Sequence, residues 1–202
     1  MKSGITVTAT GQAFVTPDQA IVNLSASAVR ADAADAMTEV SRRIQALLGG
    51  LRQAGIEEGN VQTSDLSLWP ETDRNGAPLG YRARNGVRIT LTDVSRVGEI
   101  VASGLAALGE GAEMSGVSFG RRDIDAAEAV ARSAAWKRAV STASQLADQA
   151  GLTLGRPLSI EESNPMGPPR PLARMAMAEA VPIESGSFTV TVALTVRFAI
   201  VG

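Results

Sequence analysis

No cysteine and no histidine occur in the 202 residues. The first absence excludes disulfides, thiolate nucleophiles and cysteine-type zinc sites. It leaves the compartment open, because an exported protein can do without disulfides. The second removes the commonest general base and the commonest metal ligand. An enzyme built from this chain would work with Asp, Glu, Ser, Thr, Arg, two lysines (Lys2 and Lys137) and the single Tyr81. Aromatics are 3% of the chain against an apolar share of 45%, so Val, Ile, Leu, Met and Ala must fill the core at close backbone spacing. A dominant charge is missing too. The formal net charge of −2 gives no general attraction to nucleic acid or to anionic membranes. No apolar run approaches the ~20 residues of a membrane helix, so no transmembrane segment is expected. No export signal is visible either. The chain enters Ile5-Thr6-Val7-Thr8 almost at once, and Met1-Lys2-Ser3 reads as a native start or as a start placed on a mature chain.

What is present is a patterned chain of one domain, or two closely packed lobes. A chain of this length buries about 70% of its unfolded surface, so it needs no staple. Ile5, Val7 and Ala9 alternate with Thr6, Thr8 and Thr10, a half-buried strand. Thr16-Pro17-Asp18 is a turn signal, and Ala20, Val22, Leu24, Ala26 and Ala28 form one face of a second strand. Two such strands across a short turn predict an antiparallel hairpin. From Ala33 the period becomes helical, with Val40, Ile44, Leu47 and Leu51 on one stripe. Asp32 is placed to cap this helix, Gly49-Gly50 to fray its end, and Gly55-Ile56 to stop it in a Schellman turn.

Val61 and Thr63, then Leu66 and Leu68, make a strand whose parity changes near Ser64-Asp65, which predicts a bulge. Pro70 to Gly80 reads as a hairpin loop around Asn75-Gly76. The returning strand puts Tyr81, Ala83, Val87, Ile89 and Leu91 on one face and Arg82, Arg84 and Arg88 on the other. Asp93 caps a second helix, and Val117 and Phe119 mark a short strand. Asp123 opens the longest helix, with a stripe of Ala127, Val130, Ala131, Ala134, Ala135, Leu146 and Ala150 and a stop at Gly151-Leu152. Gly109-Glu110-Gly111 lacks the Gly-Lys-Ser/Thr ending of a phosphate loop, so no nucleotide or other cofactor is expected. Leu158 and Ile160 sit in a further strand. Residues 163–185 hold five prolines with Met166, Met175 and Met177, and read as a long exposed loop. The last strand, Phe188 to Ile200, has the cleanest alternation in the chain, which predicts an interior or long paired position in a sheet. The fold class is α+β, antiparallel sheet with helices packed on one face, in the order ββα-ββα-βα-ββ.

The order of several short stretches resembles the SIMPL-domain family. They are Val7-Thr8-Ala9-Thr10-Gly11, Thr16-Pro17-Asp18-Gln19-Ala20 leading into Val22, Gly55-Ile56 and Asn60-Val61-Gln62-Thr63. Leu66-Ser67-Leu68-Trp69-Pro70, Gly80-Tyr81, Ser115-Gly116-Val117-Ser118-Phe119 and the closing Gly186, Val190, Val192, Val196 and Phe198 complete the set. The resemblance implies a periplasmic or secreted protein of the bacterial envelope. It also implies association with stress tolerance and antigenicity, and in some members large ring-like homo-oligomers. One mammalian member binds a signalling kinase. The resemblance supplies no catalytic, cofactor-binding or metal-binding residues.

Three functions compete at this level. The first is a non-enzymatic envelope or exported protein acting through self-assembly or a protein partner. Its contact residues would be Arg82, Arg84 and Arg88 of the strand face and Met166, Arg170, Arg174, Met175 and Met177 of the Pro/Met loop. The second is a carboxylate-based envelope hydrolase using Glu57-Glu58, Asp123-Asp125 or Glu161-Glu162, which would need two carboxyls roughly 5–9.5 Å apart and one raised pKa. The third is a cytoplasmic kinase-binding adaptor. The absence of a catalytic set favours the first.

Overall fold

The computed structural model describes residues 4–163 and 186–201. In chain order the elements are β1 (Gly4–Val15), β2 (Gln19–Arg30), α1 (Ala33–Gln53), β3 (Val61–Thr72) and β4 (Pro78–Leu91). Then come α2 (Val97–Leu108), β5 (Ala112–Gly120), α3 (Asp125–Gln149), β6 (Thr153–Ser163) and β7 (Phe188–Val201). This is the α+β order expected. The strands form two sheets, β1-β7-β6 and β3-β4-β2-β5, antiparallel throughout. The chain divides into two compact units. Among the described residues, one holds 4–16, 121–163 and 186–201, and the other holds 17–120 as an insertion between β1 and α3.

In the first unit β7 is the central strand, as its alternation predicts. Val7 lies opposite Val196, Ala9 opposite Leu194 and Gly11 opposite Val192. These residues face α3, which packs on β1 and β7. The buried line of the helix is Ala131, Ala135, Ala139, Ala143 and Ala147, every fourth residue. Gly11 sits under this line. A Cβ there would overlap the Ala131 carbonyl oxygen and the Ala135 amide. Val130 and Leu146, expected in the stripe, are exposed instead. Where a helix backbone approaches a strand this closely only methyl groups fit, so the larger residues of α3 fall outside the contact line. Trp136 closes one side, its ring tilted against Phe198 at 6.1 Å between centroids.

The second unit lays α1 and α2 on one face of its four-stranded sheet. Val22 and Leu24 of β2 and Val87 and Ile89 of β4 meet Val40, Leu47 and Leu51 of α1 and Ile100 and Leu108 of α2. α1 runs through Gly49-Gly50 without fraying, because Leu47 and Leu51 on either side are buried. It ends in the expected Schellman turn. The Ile56 N–H donates to the Leu51 carbonyl (2.9 Å) and the Gly55 N–H to that of Arg52 (3.0 Å). Gly55 takes φ 80°, which a side chain would oppose. The same motif ends α3 through Leu152 and Ala147 (2.9 Å). Asp32 holds the N-cap position of α1 without a side-chain cap bond. The bulge in β3 falls between Thr63 and Asp65, where the parity change put it.

Two expectations about the strands also need correction. β1 and β2 are not a hairpin: β1 pairs with β7, and β2 pairs with β4 and β5. Thr16-Pro17-Asp18 carries the chain from one unit to the other. Alternation reveals a strand but not its neighbour. The Pro70–Gly80 loop shrinks to a turn after Thr72, because β3 and β4 pair out to Thr72 and Pro78. Within that turn the Asp73 carboxylate accepts the Asn75 and Ala77 N–H groups, both at 2.8 Å.

Candidate functional site

Arg82, Arg84 and Arg88 do share the face of β4 turned away from the helices, but they differ in what they meet. Arg84 lies across from Ser27 on β2 and Ser67 on β3. Its guanidinium donates to Asp65 (2.9 Å), to Glu113 (3.2 Å) and to the buried Ser25 hydroxyl (3.0 Å). Arg82 forks onto Glu71, with both bonds at 2.8 Å. That hydrogen-bonded guanidinium holds the Glu71 carboxyl below the ordinary range, and the Glu71 carboxylate in turn raises Arg82. Arg88 is exposed between Gln62 and Asn23 and makes no ion pair among the described residues. Among the described residues the face is therefore a self-neutralised lattice that leaves Arg88 unmatched. Sequence alone could not assign these partners, since Glu113 is 29 residues from Arg84.

A second cluster ties α1 to the sheet. Arg43 is buried and donates to Glu39 (2.7 Å), to the Ser27 carbonyl (3.1 Å) and to the Glu110 carbonyl. Glu39 also takes two bonds from Arg42, and its carboxyl falls from 4.5 to about 2, first through Arg42 and then through Arg43. Gly109-Glu110-Gly111 thus serves as an anchor for a buried arginine.

The acidic pairs considered for hydrolysis are not brought together as a dyad. Asp123 accepts the Asp125 N–H at 2.9 Å, a turn-stabilising bond at the start of α3. Glu57 and Glu58 are exposed beside the Schellman turn. Glu162 forks onto Arg132 at 2.6 and 2.8 Å, and that guanidinium lowers its pKa. The displaced carboxyls of Asp93, Glu99 and Glu162, like those of Glu39 and Glu71, all move down. A general acid at neutral pH needs a move up. Among the described residues no cluster of acidic side chains is arranged to hold a metal ion. Met166, Arg170, Arg174, Met175 and Met177 lie outside the described residues.

What sequence reasoning missed is the bare arm of the second sheet. α1 packs on β2 and β4, and α2 on β2 and β5. Among the described residues no helix packs on the far part of β3. Leu66, Leu68 and Tyr81 share the helix side of that arm yet are 57%, 43% and 38% exposed. Trp69 on the opposite face and Leu79 are also exposed. β3 is moreover an edge strand, with one side of its backbone unpaired within the sheet. The signal was partly readable in the parity change at the bulge. Whether a helix covers that face was not readable.

These features define a class: an antiparallel, two-sheet α+β protein with internally neutralised charge clusters and an exposed apolar row beside a sheet edge. The chain belongs to the SIMPL family, described as protein of unknown function (DUF541), which it matches over residues 5–198. It is 29% identical to the 26 kDa periplasmic immunogenic protein of Brucella melitensis, with 97% of this chain and 84% of that protein covered. It is 27% identical to the uncharacterized protein YggE of Escherichia coli K12, covering 90% of this chain and 74% of the relative. YggE of Edwardsiella ictaluri is also 27% identical, at 86% and 74% coverage. Among the described residues no helix is long and apolar enough to cross a membrane.

Proposed function

We propose that this chain is a non-enzymatic, exported protein of the cell envelope that works by self-assembly through the bare β3–β4 arm. The observation that carries the reading is the exposed row Leu66, Leu68 and Tyr81 beside the open edge of β3. An open apolar edge offers unpaired backbone groups to another strand. Here the row is apolar, and the neighbouring arginines Arg82 and Arg84 are already matched by carboxylates. A second copy offering the same edge can pair antiparallel and bring both rows side by side, which is the isologous arrangement of a two-fold dimer. The periplasmic location is supported by the similarity to the periplasmic immunogenic protein of Brucella.

Light scattering on a sizing column, across a concentration series, tests this. The intact chain should run at a multiple of 20.9 kDa, and the Leu66→Ser/Leu68→Ser double variant should run as a monomer that still unfolds cooperatively, with a midpoint that no longer depends on concentration. A monomer at every concentration for the intact chain overturns self-assembly. An unaffected oligomer in the double variant removes the arm as its interface.

A further inference from the structure

The helix layer of the second unit leaves a second space, nearer the start of β3. Between the C-terminal half of α1 and the sheet lies a cavity of about 220 Å³. Its walls are Leu48 and Leu51 of α1, Ile56 of the Schellman turn, and Val61, Thr63 and Val87 of the sheet. Val87 and Leu51 are fully buried, whereas Leu48, Ile56 and Val61 are only half-buried, so the apolar lining reaches the opening. Two charged side chains also line it. Arg52 and Glu58 are 61% and 87% exposed and stand 3.8 Å apart. That distance and exposure make them a loose rim pair, free to take other partners.

We infer that this cavity takes the side chain of a free apolar α-amino acid, whose carboxylate meets Arg52 and whose ammonium meets Glu58. The argument is complementarity of both shape and charge. The volume is small beside the roughly 300–1,000 Å³ of a drug-sized site, and suits a single branched or aromatic side chain. The interior is apolar, so the entering group must be apolar. The rim carries one charge of each sign. A fatty acid would meet Arg52 but face Glu58, and an alkylamine would meet Glu58 but face Arg52. An α-amino acid alone carries both charges on the carbon that bears the side chain. An internal peptide residue carries neither, and either end of a peptide carries only one. The inference does not rest on self-assembly, because Leu66 and Leu68 are not among the cavity's walls.

The test is an amide chemical-shift titration of the whole chain with L-leucine, and with its two one-charge relatives, 4-methylpentanoate and isopentylamine. Leucine should shift the amides around Leu48, Ile56 and Val61 saturably, and each relative should bind at least about threefold more weakly. Arg52→Gln and Glu58→Gln should each weaken leucine by a similar factor, while amides far from the cavity stay in place. Thr63→Trp should block the opening and abolish the shifts. The proposal is overturned if leucine and phenylalanine give no saturable shift at tens of millimolar. It is equally overturned if 4-methylpentanoate binds as well as leucine, or if Glu58→Gln leaves leucine binding unchanged. Either of those results would make the cavity a carboxylate or purely apolar site.

Discussion

The two units solve the same packing problem with different materials. In the unit of β1, β6, β7 and α3, the helix meets the sheet along five alanines, with Gly11 directly beneath. In the unit of β2 to β5, α1 and α2, the contact is made by Val40, Ile44, Leu47, Leu51, Ile100 and Leu108. The first arrangement brings two backbones close and leaves almost no side-chain volume to adjust. The second buries large branched groups and leaves room at the sheet edge, where the cavity and the bare arm lie. A methyl-faced contact tolerates no addition, whereas a branched core is most sensitive to removal. The same low aromatic content thus yields two cores with opposite weaknesses.

Gly11→Val is the sharpest way to break the first unit. The overlap is with backbone atoms of α3, which cannot rotate aside. Overpacking ordinarily costs about 1–3 kcal/mol, and a backbone clash belongs at or beyond the top of that range. Native-state hydrogen exchange should show lost protection in β1, β7 and α3, while α1, β2 and β4 keep theirs. Leu47→Ala is the converse experiment. Leu47 is 1% exposed in the core of the second unit, so its truncation should cost about 2–5 kcal/mol by denaturant unfolding. Its exchange pattern should be the mirror image. If both substitutions loosen all amides alike, the two cores unfold as one and the contrast has no energetic meaning.

These differences were only partly visible in the chain. Strand β7 was legible because period-two alternation over its whole length has one physical meaning. The two Schellman turns were legible because Gly followed by an apolar residue satisfies both backbone geometry and the fold-back contact. The β3 bulge was legible as a break in parity. The pairing of β1 was not, since its partner lies at the far end of the chain and no local pattern encodes a neighbour. The α3 stripe was misjudged because hydrophobicity favoured Val130 and Leu146, while close approach to Gly11 favoured alanine. The site suffered most. The residue types of Arg82 and Arg84 suggested a partner-seeking face, but only three-dimensional placement reveals Glu71, Asp65 and Glu113 beside them.

Acid should act on the two units through different carboxyls, Glu162 in the first and Glu39 in the second. Glu39 in the second unit has its carboxyl lowered from 4.5 to about 2 by Arg42 and Arg43. A depressed folded-state pKa contributes stability that is fully present above the unfolded value. It is lost as pH falls from there toward about 2, because the unfolded chain takes up the proton first. Glu39→Gln should therefore flatten the pH dependence of the unfolding midpoint in this window and lower the midpoint near neutrality. A variant with the same acid limb as the parent would show that the Arg42–Glu39–Arg43 cluster is already formed in the unfolded chain.

The smallest effect is expected from the Arg132–Glu162 ion pair of the first unit. Arg132 reaches from α3 to Glu162 on β6 with two short bonds, but both side chains are more than a third exposed. The methyl-faced contact between α3 and the sheet does not depend on this clasp. Exposed pairs are also screened by salt. Arg132→Gln should lower the unfolding midpoint far less than Gly11→Val at low salt. In about 1 M salt, where the screening length is about 3 Å, the variant and the parent should converge. A large loss that persists in high salt would mean that the clasp, and not the alanine line, sets the position of α3 on its sheet.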